Sequence, residues 1–166
     1  MVYFFILYIC SLILTFAVVR DTKKNSKNVV LASDHAGFKL KEEIKKFLIK
    51  KRKKVLDLGT KNSKSVDYPD FAHLLSKKMA NGNNQFGILI CGSGIGMDMT
   101  ANKHKNIRAA LCYDIKSTKL SRQHNNANVM SIGARLIKKN TALMCVSTFL
   151  KTKFEGGRHI KRVKKI

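Results

Sequence analysis

The sequence predicts a single α/β domain built on a doubly wound, five-stranded parallel sheet. Two observations predict it. Short apolar runs of strand length alternate with longer segments of helical periodicity, which is the pattern of a parallel sheet covered on both faces. At 166 residues the chain also has the length of one domain with a substantial core.

The elements follow in order. NVVLAS (28–33) is the first buried strand. Phe38, Leu40, Ile44, Phe47 and Leu48 then recur at near-helical spacing through residue 50. VLDLG (55–59) is the second strand, and a polar loop leads to a helix over DYPDFAHLLSKKMA (67–80), where Pro69 suits a helix start. Strand 86–91 comes next, followed by helix 95–104, strand RAALC (108–112), helix 115–124, strand VMSIG (129–133) and helix 138–151. The order is Rossmann-like. The remaining KTKFEGGRHIKRVKKI is polar and basic, with a Gly-Gly break before a histidine and two arginines.

Residues 1–26 stand apart. MVYFFILYICSLILTFAVV is 19 residues without a charge, long enough to be a transmembrane candidate. It lacks the basic start of a secretory signal, and its one cleavage-like position, near Ala17, is weak. If it inserts, as an N-terminal membrane anchor, Arg20, Lys23, Lys24 and Lys27 would keep the following domain in the cytoplasm. A start assigned too far upstream explains it equally well. The folded domain is therefore expected over 27–166, with 1–26 as a leader.

The formal net charge is +23, from 33 Lys+Arg against 10 Asp+Glu, so an anionic partner has to be weighed. Only seven of the 33 are arginine, and aromatic residues do not interleave with the basic runs. KEEIKKFLIKKRKK (41–54) reads as a helix with a lysine-covered polar face. A solvated basic surface that draws in a phosphorylated substrate fits better than a nucleic-acid footprint. The cysteines, Cys10, Cys91, Cys112 and Cys145, form no C-x-x-C pair and sit in apolar stretches, which argues for a reducing compartment. The five histidines have no metal-ligand spacing, and neither metal nor cofactor is expected.

The segment LICGSGIGMD (89–98) carries the chemistry. A dinucleotide fingerprint would need glycine at residue 97 or 99, and both are methionine. A Walker-type loop would need a lysine that is absent at the required distance. What remains is a strand, a tight turn with uncovered amides, and a helix start near Ile95 able to attract an anion or a developing oxyanion. In doubly wound sheets, ligands bind beyond the carboxyl ends of the strands. Three polar clusters are expected to converge on that edge: SDHAG (33–37), CGSGIG (91–96) and RQHNNAN (122–128).

These residues resemble a known family. ASDHAGFKLK, DLGT, VDYPDFA, GILICGSGIGM, ANK, IRAALC, SRQHNNANVMSIGAR and FEGGRHIKRV are similar to ribose-5-phosphate isomerase type B and its sugar-phosphate isomerase relatives, from about residue 28 to 166. The leader has no counterpart in that pattern. The resemblance implies a metal-free homodimer, or a dimer of dimers, that interconverts ribose 5-phosphate and ribulose 5-phosphate in the cytoplasm, within the pentose phosphate pathway. The reaction carries a proton between C2 and C1 through an enediolate, so it needs a base, donors for the oxygens and a phosphate anchor.

By resemblance, Cys91 is the base, its thiolate favoured by a helix N-terminus and a cationic surround. Gly92, Ser93, Gly94, Ile95 and Gly96 offer amides to the enediolate oxygen. His124 opens the furanose, Asn125 and Asp34 bind hydroxyls, and His35, Arg135, Arg158 and Arg162 clamp the phosphate, as the guanidinium fork suits. The resemblance also has His124, Asn125 and Arg135 reaching the Cys91 pocket of the other subunit. Some relatives carry a glutamate base shortly after this loop. Asp98 is the nearby carboxylate here, but with Cys91 present it is not assigned that role. The alternative substrates are six-carbon, galactose 6-phosphate or allose 6-phosphate. A basic nucleic-acid-binding or membrane-surface protein is the rival of another class, and it leaves the order of Cys91, His124 and Arg158 unexplained.

Overall fold

The computed structural model describes residues 28–80 and 86–166, so the leader lies outside the described residues. The strands are β1 (Val29–Ser33), β2 (Val55–Asp57), β3 (Phe86–Cys91), β4 (Ala109–Leu111) and β5 (Val129–Gly133). The helices are α1 (Phe38–Lys50), α2 (Tyr68–Ala80), α3 (Ile95–Ala101), α4 (Ile115–Asn125), α5 (Lys139–Lys151) and α6 (Arg158–Val163). The sheet is all parallel, in the order β2-β1-β3-β5-β4, as the α/β pattern predicts.

Strands buried on both faces read as continuous apolar runs, and β1 (VVLAS) and β3 (FGILIC) are fully buried. Alternate residues feed two cores. Val29, Leu31, Ile88 and Ile90 pack with Ile44 and Leu48 of α1 and with Cys145, Val146 and Phe149 of α5. Val30, Ala32, Leu89 and Cys91 face the other way, against Ala72, Leu75 and Met79 of α2 and Met97 and Ala101 of α3. The chain thus leaves β1 toward one face and β3 toward the other. Adjacent strands whose connections diverge open a crevice at their carboxyl ends.

Four expectations need adjustment. Lys41 is not part of a solvated face. It is 1% exposed, with its ammonium bound to Asp57 at 2.6 Å and Glu42 at 2.7 Å. A buried lysine survives only if paired, and Asp57 at the end of β2 supplies the charge. The expected strand 55–59 is shorter as a strand, although Leu58 and Thr60 still donate to Leu31 and Ser33 of β1. The helix expected over 95–104 ends at Ala101, because the Asn102 side chain turns away to bond both backbone groups of Ala109 and so opens β4. The basic tail contains α6, entered through Gly156 and Gly157 at φ +70° and +52°.

The third polar cluster is the larger correction. In a parallel sheet, the helix preceding a strand returns the chain to the amino edge. Asn125 ends α4 and Val129 begins β5, which runs parallel to β3 with Gly87 opposite Val129 and Cys91 opposite Gly133. RQHNNAN therefore lies at the edge opposite to SDHAG and CGSGIG. Among the described residues, no helix is long and apolar enough to cross a membrane.

Candidate active site

The crevice at the ends of β1 and β3 is a cavity of about 510 Å³. Asp34, His35, Ala36, Tyr68, Cys91, Gly92, Ser93, Ile95, Gly96, Arg135 and Leu136 line it. Seven of these are site residues expected from the sequence: Asp34, His35, Cys91, Gly92, Ser93, Ile95 and Gly96. An eighth, Arg135, corrects an expectation. Its guanidinium lies against Gly92, 3.2 Å from where a Cβ would stand, so it lines the Cys91 cavity of its own chain.

Backbone geometry aims these groups. Gly94, at φ +82°, lets β3 turn sharply into α3, and a side chain there would strike the backbone of Ile132 and Gly133. In that turn the Gly94 N–H donates to Cys91 Sγ at 3.1 Å. Cys91 is 4% exposed and lines the cavity. The Ile95 N–H is held by Ser93 Oγ at 3.3 Å. Two of the five expected amides thus already have partners.

Asp34 is 6% exposed, and its Oδ1 accepts the Gly37 N–H at 2.8 Å, which fixes the turn into α1. Gly37 must lack a side chain because a Cβ would sit 2.2 Å from the Ile90 carbonyl oxygen. Asp34 both shapes this turn and faces the cavity. His35 is steadied by Val66, whose backbone N and O lie 3.2 Å and 3.3 Å from Nδ1. The Arg135 N–H donates to the Gly92 carbonyl at 3.0 Å, tying the β5 exit to the loop.

Tyr68, Ala36 and Leu136 also line the cavity, although sequence reasoning assigned them no role. The Tyr68 ring approaches Gly96 so closely that a Cβ there would be 2.6 Å away. The signal lay in VDYPDFA, whose tyrosine sits at a helix start facing the glycine loop. Asp98 does not line the cavity. Its Oδ2 accepts from Asn102 at 3.3 Å, its Oδ1 is buried without a partner, and burial raises its pKa.

A second constellation forms at the amino edge. The imidazoles of His124 and His159 stack with centroids 4.3 Å apart and planes 7° from parallel. Glu155 Oε2 lies 3.7 Å from His124 Nε2 and 3.9 Å from His159 Nε2. Arg158 and Arg162 are exposed on α6, and their charges, with burial foremost, lower the His159 pKa. Asn125 is exposed at the end of α4. The fold thus assembles His124, Asn125, Arg158 and Arg162 near one another, but apart from the Cys91 cavity of the same chain. His159 and Glu155 are additions that the sequence reading missed, though GGRH and FEGG carry them. The three groups offer ligand atoms within 4.8 Å of one another. A metal–imidazole bond lies in the ring plane, so one ion cannot serve two parallel stacked rings as they stand.

Comparison with known proteins shows the family and supports the fold. The Escherichia coli (strain K12) ribose-5-phosphate isomerase B is 42% identical over 140 residues, 84% of this chain and 94% of that protein. The crystal structure of a ribose 5-phosphate isomerase from Thermotoga maritima superposes with a TM-score of 0.83 at 45% identity, covering 85% of this chain and 97% of that one. The Mycoplasma genitalium ribose-5-phosphate isomerase B, solved with bound ribulose-5-phosphate, gives 0.81 at 44% identity, covering 84% and 93%. The model of one family, described as Ribose/Galactose Isomerase, matches residues 29–166. The chain belongs to that family.

Proposed function

We propose that this protein interconverts D-ribose 5-phosphate and D-ribulose 5-phosphate in the pentose phosphate pathway, with Cys91 as the proton-transfer base. The observation that carries the reading is the cavity in which Cys91 Sγ, an amide-rich turn, Asp34 and His35 meet. The complex of the Mycoplasma genitalium relative with ribulose-5-phosphate supports the substrate.

The chemistry runs as follows. The Cys91 thiolate takes the C2 proton of the open aldose, the freed pair forms C1=C2, and the carbonyl electrons move onto O1, giving the enediolate. The thiol then returns the proton to C1 while the O2 hydroxyl proton passes to O1, leaving the ketone at C2 and a hydroxyl on C1. Charge gathers on the oxygens in between. The amides of Gly92, Ser93 and Gly96 are the donors aimed there, and one such donor is worth about 3–4 kcal/mol of barrier. The Gly94 N–H serves the thiolate instead. Asp34 and Asn125 bind hydroxyls, and His35, Arg135, Arg158 and Arg162 hold the phosphate.

His124 opens the furanose, and its distance from Cys91 in one chain makes a partner necessary. A two-fold homodimer, alone or paired into a dimer of dimers, would bring the amino-edge cluster of one protomer over the carboxyl-edge cavity of the other. The domain begins near residue 27, the enzyme acts in the cytoplasm, and it uses no metal or cofactor.

The test is ketose formation from ribose 5-phosphate, allose 6-phosphate and galactose 6-phosphate, with chelator present. The pentose should be turned over with a kcat/KM at least about tenfold above either hexose, a difference of about 1.4 kcal/mol. Preference for a hexose phosphate would overturn the substrate, and loss of turnover in chelator would overturn the metal-free mechanism.

A further inference from the structure

We propose that Glu155 is a positioning residue for His124: its carboxylate orients the imidazole and supports its charge during ring opening. The inference rests on the ring-opening role of His124 given above, and it concerns a residue to which that reading gave no part.

Glu155 is held before any substrate arrives. The Gln123 side-chain amide donates to Oε1 at 2.6 Å, and the Glu155 N–H donates to the Gln123 carbonyl at 3.0 Å. One oxygen is thereby occupied, and the other faces the two imidazoles. Arg122 keeps this frame rigid. It is 6% exposed, sits over the Phe86 and Phe149 rings, and donates to Thr152 O at 3.3 Å, to Asn126 Oδ1 at 3.0 Å and to Ala127 O. The end of α4 and the connector carrying Glu155 therefore move as one piece.

Charge explains why a carboxylate is needed. Stacked imidazoles 4.3 Å apart cannot both be protonated cheaply, since like charges repel at that distance. Burial, His124, Arg158 and Arg162 all press His159 toward its neutral form, and only Glu155 acts the other way. His159 is thus the buried ring of the stack, and His124 is the more exposed one, open to a substrate. Glu155 is the carboxylate beside both rings, with Oε2 3.7 Å from His124 Nε2.

The step balances without a co-reactant. Imidazole takes the O1–H proton, and the freed pair becomes the C1=O1 bond. C1–O4 breaks, its electrons go to O4, and the imidazolium returns a proton there. Nothing is oxidised, and His124 ends as it began. With Glu155 beside Nε2, the nitrogen that meets the sugar is Nδ1.

Ribulose 5-phosphate separates ring chemistry from enediolate chemistry, because its C5 hydroxyl is esterified and it cannot form the furanose. In Glu155→Gln, kcat for ribose 5-phosphate should fall about 10–100-fold with KM changed less than about threefold, part of the usual general acid–base factor. Exchange of the C1 proton of ribulose 5-phosphate into D2O should stay within about twofold of wild type. Equal loss of both, or of neither, overturns the proposal. A ¹⁵N-histidine spectrum decides the matter whatever the exchange rate. The His124 Nε2 resonance, identified by its disappearance in His124→Asn, must move in Glu155→Gln, and a fixed resonance overturns the pairing. A wild type inactive on ribose 5-phosphate would instead defeat the substrate reading, with the ¹⁵N result still reporting on Glu155.

Discussion

Cys91 and His124 lie at opposite edges of one parallel sheet: Cys91 is the last residue of β3, and His124 stands five residues before β5 begins. A site using both must draw them from different protomers. Cys91→Ala and His124→Ala should each fold and each lose at least about 100-fold in turnover. When the two are unfolded and refolded together, random pairing makes about half the dimers mixed, each with one site carrying both lesions and one carrying neither. About a quarter of wild-type activity should return. A mixture as inactive as its parents would mean the site is not shared.

Arg158→Ala with Arg162→Ala should raise KM for ribose 5-phosphate by about 100-fold or more, as expected for two lost charge-assisted contacts. Turnover of unphosphorylated ribose at fixed high concentration should barely change. Equal loss on both sugars would assign the arginines to structure.

Gly94→Ala combines a φ of +82° with a Cβ 2.8–2.9 Å from the backbone of Gly133 and Ile132. It should destabilise the fold by about 2–4 kcal/mol and lower Tm by at least about 5 °C. Gly157→Ala is the control, with φ +52° but nothing within 4 Å of a Cβ. With ψ at −129° the loss there comes from backbone strain alone, about 1–3 kcal/mol. Equal losses in thermal melts would put the whole effect in φ.

Burial pushes the Cys112 thiol from 9.0 up to about 11. A raised acid favours its neutral form in the fold, so its contribution is complete below pH 9 and is lost as pH rises toward 11. The wild type should lose up to about 2–3 kcal/mol more than Cys112→Ser across that window. Urea melts at pH 8, 9.5 and 11 measure it. Parallel curves for the two proteins would show that Cys112 ionises as freely in the fold as out of it.

Removing residues 1–26 should leave Tm within about 2 °C and kcat/KM for ribose 5-phosphate within about twofold of the full chain, because among the described residues the cavity and both cores start at residue 29. A truncated protein that cannot fold would move the domain boundary into the leader.

The sequence by itself determined the elements and the chemistry on them. Hydrophobic periodicity is local, so β1, β3, β5 and the helices between them are legible within a few residues. The run CGSGIG announces a tight turn beside a cysteine without reference to the rest of the chain. Tertiary structure alone decided which edge of the sheet each cluster reaches. Strand direction and connection order carry Asp34, His35 and Arg135 to Cys91, and return His124 to the amino edge with Glu155 and His159. Lys41 makes the same point on a smaller scale. Helical spacing put it on a basic face, and only the approach of Asp57, 16 residues away, explains why it is buried. Pairing between distant residues depends on the path of the chain in space, which no local pattern records.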